Sequence, residues 1–138
     1  MPKTNPINIR LEFTVLKEVK KLAKVLRLPF STLLNRLIVE SLKMFQCPGI
    51  IFTNSPTGIR RPTVAGTGLN VWELINIYKS YNKDEKRLLK DYLLTEPQLN
   101  TALNYYEHYK KEIDEEIKQN EEAEKSLHTN KLITRFSV

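Results

Sequence analysis

Asn8 and Arg10 carry the most legible chemistry in this chain. They interrupt an apolar series, Ile7, Ile9 and Leu11, so the segment has the period of a strand with one apolar and one polar face. An amide or a bidentate guanidinium on such a face can read the edge of a purine in the major groove of DNA. Catalytic arrangements are harder to find. His108 and His128 are the only two histidines, one in a polar helix pattern and one near the end of the chain. Glu112 follows His108 by one helical turn, but a single such pair on an exposed helix reads as a surface pair, not a metal site. Serines, threonines and carboxylates form no nucleophile arrangement, and Gly66-Thr67-Gly68 lacks the lysine and spacing of a phosphate-binding loop. Cys47 is alone, which excludes an internal disulfide or a cysteine metal cluster and reads as a partly buried, unreactive residue. The expectation is therefore no enzyme, no cofactor and no metal.

The elements that must position Asn8 and Arg10 follow at once. A lone strand over residues 7 to 11 leaves its backbone N–H and C=O groups unpaired, and no second strand pattern of comparable quality follows. The expected partner is the same strand of a second copy. Pairing across a two-fold axis would set Ile7, Ile9 and Leu11 of both chains on the helices beneath and leave Asn8 and Arg10 on the outer face of a ribbon. A first helix is predicted from Phe13 or Thr14 to about Arg27, with Leu16, Val19, Leu22, Ala23 and Leu26 as its buried stripe. Lys17, Lys20, Lys21 and Lys24 line another face, read as solvated, with phosphate contact as the alternative. A second helix, about Phe30 to Phe45, carries Leu33, Leu34, Leu37, Ile38, Val39 and Leu42, more apolar surface than so short a monomer can cover. That excess is a second indication of a dimer.

Strand, basic helix and apolar helix in this order resemble the ribbon-helix-helix repressors and antitoxins. The resemblance implies base reading by Asn8 and Arg10, phosphate held by backbone N–H groups near Ser31 and Thr32, and Lys3 on an adjacent phosphate. Two positions depart from the family pattern. Pro6 stands where a third polar strand residue is usual, and Pro29 where Ser or Thr usually caps the second helix.

Charge is distributed in the same sense. The net charge is +6; residues 1 to 50 hold nine basic and three acidic side chains (+6), residues 51 to 110 eight and six (+2), and residues 111 to 138 five and seven (−2). A polyanion partner is expected at the N-terminal end and a different partner toward the C-terminus, the plain alternative being lysine faces that only confer solubility. A hydrophobic fraction of 41% against 28% charged residues, with no long apolar run and a polar N-terminal segment, predicts a soluble cytoplasmic protein without a signal peptide or membrane span.

All four glycines fall between positions 49 and 68, alongside Pro48, Pro56 and Pro62. Residues 47 to 69 therefore read as a connector, with short extended pieces at Ile50-Ile51-Phe52 and Thr63-Val64. Three helix starts then follow. Asn70, Asn82 and Thr95 each precede an acid or amide at the capping-box spacing, and Leu69 with Leu74 and Leu94 with Leu99 add hydrophobic staples. Helices are predicted at about 71 to 81, 83 to 91 and from 96 onward. The six tyrosines and Trp72 belong to their packing rather than to base stacking. Residues 58 to 74, from Gly58-Ile59-Arg60-Arg61-Pro62 through Gly66-Thr67-Gly68-Leu69 to Glu73-Leu74, resemble the opening of a small prokaryotic family known as domain of unknown function 433. The resemblance covers about residues 48 to 112 and implies an antitoxin encoded beside a PIN-like nuclease toxin. Ala65 and Gly68 replace two arginines of the family pattern, and Asn70 replaces its proline.

The last predicted helix keeps a seam of Leu99, Leu103, Tyr106, Ile113 and Ile117, weakest at Lys110, and either continues along it or frays after about Gln119. Residues 126 to 138 form a tail whose Leu132, Ile133, Arg135 and Phe136 the antitoxin resemblance would place against an acidic nuclease pocket. The alternatives are an added strand or disorder. The expected fold class is mainly α: a ribbon-helix-helix dimerisation module of one short strand and two helices (1–46), the connector (47–69), a three-helix, helix-turn-helix-like module with a long C-terminal helix (70–125), and the tail (126–138). The expected function is an antitoxin-type DNA-binding transcriptional regulator on double-stranded DNA, a homodimer or higher homo-oligomer, with a PIN-like toxin as a further partner. The runner-up is a toxin-binding protein with little specific DNA contact. A second DNA contact by the helix from Thr95 is disfavoured, because Gln98, Asn100 and Asn104 have few basic neighbours.

Overall fold

Among the described residues, regular structure begins after Glu12, whose C=O accepts the Leu16 N–H at 2.9 Å. The computed structural model describes the backbone of residues 5 to 136 and the side chains of residues 5 to 127. Helix α1 (Phe13–Leu26) closes on Arg27 in the left-handed conformation, φ 55°. There the Leu28 N–H reaches back to the Ala23 carbonyl at 2.9 Å, the bond that satisfies an orphan C=O at a helix end. Pro29 cannot continue the helix, and α2 (Phe30–Gln46) begins one residue later. Residues 6 to 12 adopt no regular element within the single chain, so the strand predicted over residues 7 to 11 is not formed there.

The chain divides into two compact units, residues 1–42 and residues 43–138. In the first, burial is thin. Ala23, Leu33 and Glu40 are its only buried residues among those described. Of the stripe predicted on α1, Leu22 and Leu26 are exposed, as are Leu37, Ile38, Val39 and Leu42 of α2.

The second unit has a closed core built from Cys47, Ile50, Val64, Val71, Leu74, Ile75, Leu88, Leu99, Ala102, Tyr105 and Ile113. Here the expected connector is corrected. Its two extended pieces become β1 (Ile50–Asn54) and β2 (Arg60–Val64), an antiparallel hairpin in register Ile50 to Val64, Phe52 to Pro62 and Asn54 to Arg60. Two strands mean two edges, so Pro62 is tolerated although it has no N–H to donate. The side chains of Ile50 and Val64 enter the core, and the Thr53 and Thr63 hydroxyls meet across the strands at 2.8 Å. Gly49 precedes the hairpin with φ 93°, and a Cβ there would lie 2.9 Å from the Thr101 hydroxyl. Only glycine fits both the backbone and the space.

Helices α3 (Val71–Ser80), α4 (Glu85–Tyr92) and α5 (Glu96–His108) match the three predicted starts to within two residues. Asn70 and Thr95 lead α3 and α5, each donating its backbone N–H to the Glu73 or Gln98 side chain at 3.1 and 3.0 Å. The middle cap is corrected from Asn82 to Asp84, whose carboxylate accepts the Arg87 N–H. Asn82 instead turns left-handed, φ 51°, and its N–H closes the end of α3 on the Lys79 carbonyl. The expected continuous final helix is interrupted as well. Tyr109 leaves helical geometry at φ −132°, and α6 (Lys110–Phe136) starts anew after it. Helix α6 packs through Ile113 and Ile117, while residues 121 to 127 are exposed. Its backbone runs on through most of the stretch read from sequence as a tail. Among the described residues, no helix is long and apolar enough to cross a membrane.

Candidate nucleic-acid interface

The alternation of residues 7 to 11 has no counterpart in exposure within the single chain. Ile7 and Ile9 are 82% and 53% accessible, Leu11 is half-buried, and Asn8 and Arg10 are exposed. Among the described residues, no backbone hydrogen bond ties residues 7 to 11 to another part of the chain. The donors and acceptors of this segment are thus open along both edges, and its apolar side chains face water.

Lysines 17, 20, 21 and 24 are all exposed on α1. At the start of α2 the Leu33 N–H is satisfied by the Pro29 carbonyl at 3.1 Å, which leaves the preceding N–H groups of Phe30, Ser31 and Thr32 without an intrahelical acceptor. The Ser31 and Thr32 side chains are exposed and make no hydrogen bond among the described residues, so neither caps the helix. An oxyanion could occupy that position, favoured by the dipole and by the absence of an acid in the first turn. Asn8, Arg10, Ser31 and Thr32 all lie in the first unit. Lys3 lies outside the described residues. Leu132, Ile133, Arg135 and Phe136 share the α6 backbone, and their side chains lie outside the described residues.

The second unit holds polar chemistry that the sequence did not advertise. Lys43 donates to Glu112 at 2.5 Å, the other Glu112 oxygen accepts the Tyr105 hydroxyl at 2.5 Å, and Arg61 pairs with Glu116 at 3.2 Å. Burial pushes the Glu116 carboxyl above the usual range despite Arg61, and its Oε2 has no hydrogen-bond partner. Burial likewise raises the Tyr105 hydroxyl, helped by the Glu112 carboxylate, and so keeps it a donor. Glu112 is therefore committed to Lys43 and Tyr105, while His108 is exposed with Nδ1 2.9 Å from the Asn104 carbonyl. The two residues one turn apart in sequence form no pair, because the chain breaks at Tyr109 between them. Cys47 is fully buried, its thiol raised by desolvation against the opposing pull of Lys43. No group of metal-ligating side chains occurs among the described residues.

These long-range pairs could not be found from spacing, since Lys43 and Glu112 stand 69 residues apart. Comparison with protein-family models, curated proteins and solved structures finds no match to this chain.

Proposed function

We propose that the chain is an antitoxin-type DNA-binding transcriptional regulator that acts as a dimer, placing a two-stranded ribbon of residues 7 to 11 in the operator major groove. One observation carries the reading: among the described residues a strand-patterned segment has no backbone partner, and it precedes two helices many of whose apolar residues are left in water. A second copy supplies both needs in one step, pairing the open edge and covering Ile7, Ile9, Ile38 and Leu42. The same pairing turns two copies of Asn8 and Arg10 outward. Each guanidinium would contribute about 1–3 kcal/mol of discrimination at a base edge. Backbone N–H groups at Ser31 and Thr32 would hold phosphate, and Lys3 and the α1 lysines would add sequence-independent attraction.

The test is a gel-shift titration of duplex DNA from upstream of the chain's own coding region against random DNA. Arg10→Ala should lower the preference between the two by about tenfold or more, whereas Lys3→Ala should weaken both equally and reduce the salt slope. Operator preference untouched by Arg10→Ala would remove the assignment.

A second reading, a toxin-binding protein with little specific DNA contact, is favoured by one feature of α6: residues 121 to 127 are exposed all round the helix. A helix that has left its own core is marginal in water unless something docks on it. Under this reading Leu132, Ile133, Arg135 and Phe136 anchor a PIN-like nuclease, and removing residues 126–138 abolishes its co-purification without altering DNA binding.

A further inference from the structure

Within the second unit, α3, the α3–α4 turn and the first turns of α6 enclose a cleft of about 490 Å³, inside the size range of small-molecule sites. Its apolar surface is the rings of Tyr78 and Tyr106, backed by the fully buried Ile75. Its charged lining is Lys79, Lys83 and Lys110 against the single carboxylate of Asp114, a formal balance of +2 from three lysines and one acid. Asp114 is already spoken for. It accepts the Tyr106 hydroxyl at 2.7 Å and the Lys79 ammonium at 3.5 Å, and Lys79 also donates to the Tyr106 oxygen at 3.0 Å while lying 5.0 Å from the centre of that ring. The ammonium groups of Lys83 and Lys110 make no hydrogen bond or ion pair among the described residues, although the charge of Lys110 helps to lower the Asp114 carboxyl.

The backbone adds an independent observation. Lys83 follows Asn82 in the left-handed region, at φ 62° and φ 51°. Asparagine tolerates that conformation, but a lysine there is strained where a glycine would not be. The strained turn is held by the Lys83 N–H on the Tyr78 carbonyl at 3.1 Å and the Asp84 N–H on the Tyr81 carbonyl at 3.0 Å. Strain of this kind clusters at ligand clamps. Lys110, on the other side, stands at the first position of α6 because the chain breaks at Tyr109. Two interruptions of helical geometry thus bring two ammonium groups without a hydrogen-bond partner to one cleft walled by tyrosine rings.

We propose that this cleft binds a small phosphate monoester, with Lys83 and Lys110 on the phosphoryl oxygens and the rest of the ligand against the rings of Tyr78 and Tyr106. A monoester carries close to two negative charges at neutral pH, which matches the balance of the cleft, whereas a backbone diester carries one. The site is independent of the ribbon, and it gives the second unit a ligand of its own.

The experiment is calorimetric titration of the full-length chain with adenosine 5′-monophosphate, ribose 5-phosphate and adenosine. Both phosphates should bind saturably and adenosine should not. A preference for the nucleotide over the sugar phosphate, or the reverse, identifies which kind of monoester the tyrosine rings suit. Lys83→Gln and Lys110→Gln should each weaken phosphate binding by about tenfold, the loss of one charged contact, with unchanged circular dichroism. Lys111→Gln, exposed and outside the cleft, should match the wild type. No saturable binding, equal binding of adenosine, affinity unchanged in both cleft variants, or displacement of the phosphates by random duplex DNA at equal phosphate concentration would each overturn the proposal.

Discussion

Cys47 shows how burial decides reactivity. A thiol must ionise to attack, and full burial in the second core holds Cys47 protonated more strongly than Lys43 can offset. Iodoacetamide should therefore label the native chain more than about tenfold more slowly than the urea-unfolded chain, read by mass spectrometry. Glu116 has the opposite interest, because it bears charge in a buried place. Its folded-state carboxyl is raised by desolvation, so the native state takes up a proton before the unfolded one does. The resulting stability is full below the ordinary glutamate range and is lost as pH rises through the raised value. Thermal melts of wild type and Glu116→Gln should therefore diverge in favour of wild type as pH is lowered from neutrality toward the ordinary glutamate range. Asp114 runs the other way: the Tyr106 hydroxyl and then Lys79 lower it, so its contribution is present above the ordinary aspartate range and fades as pH falls through the lowered value. The partners of Glu116 and Asp114 were not legible from the chain, because they come from a strand or from different helices, whereas Lys43 lies only one helical turn before Cys47.

At the scale of elements, termini and turns carry the information. The starts of α3 and α5 were readable because a cap and its acceptor lie three residues apart and satisfy each other locally. The start of α4 was misplaced by two residues because Asn82 and Asp84 are both capping types. Asparagine's tolerance of the left-handed region let it close α3 and left Asp84 to open α4. Two left-handed positions make testable contrasts. Leu93 ends α4 at φ 53° with its side chain 90% exposed, so Leu93→Gly should raise stability by up to about 1 kcal/mol in chemical denaturation. Gly49→Ala should lower it by about 1–2 kcal/mol, because the added Cβ meets both a strained φ and Thr101. The break at Tyr109 had only a faint sequence trace, the weak seam step at Lys110. Its ring faces Lys43 at 4.7 Å and its hydroxyl bonds Gln46, contacts that no local pattern encodes.

For the molecule as a whole, the contrast is between a unit that closes its own core and one that does not. Residues 43–138 bury a cluster drawn from the hairpin and four helices, whereas residues 1–42 leave Ile7, Phe13, Val25 and Ile38 largely in water. If a second copy covers those residues, the assembly obeys mass action. Sedimentation at micromolar concentration should then show a dimer for the wild type and a monomer for Ile38→Asp, with a thermal midpoint that rises with protein concentration only in the former. A wild-type chain that sediments as a monomer, with a midpoint independent of concentration, would remove the ribbon and with it the proposed groove contact.

The sequence by itself determined where α1, α2, α3 and α5 begin, which residues alternate at the N-terminal end, and that the second helix carries more apolar surface than so short a monomer can cover. These are matters of periodicity and of hydrogen bonds between residues a few positions apart. Tertiary structure alone decided that the glycine- and proline-rich stretch is a hairpin in the second core, that α5 and α6 part at Tyr109, and that Lys43, Arg61, Glu112 and Glu116 become ion pairs. Those outcomes depend on which distant surfaces exclude water together. Nothing in the spacing of residues along a chain specifies that until the chain has folded.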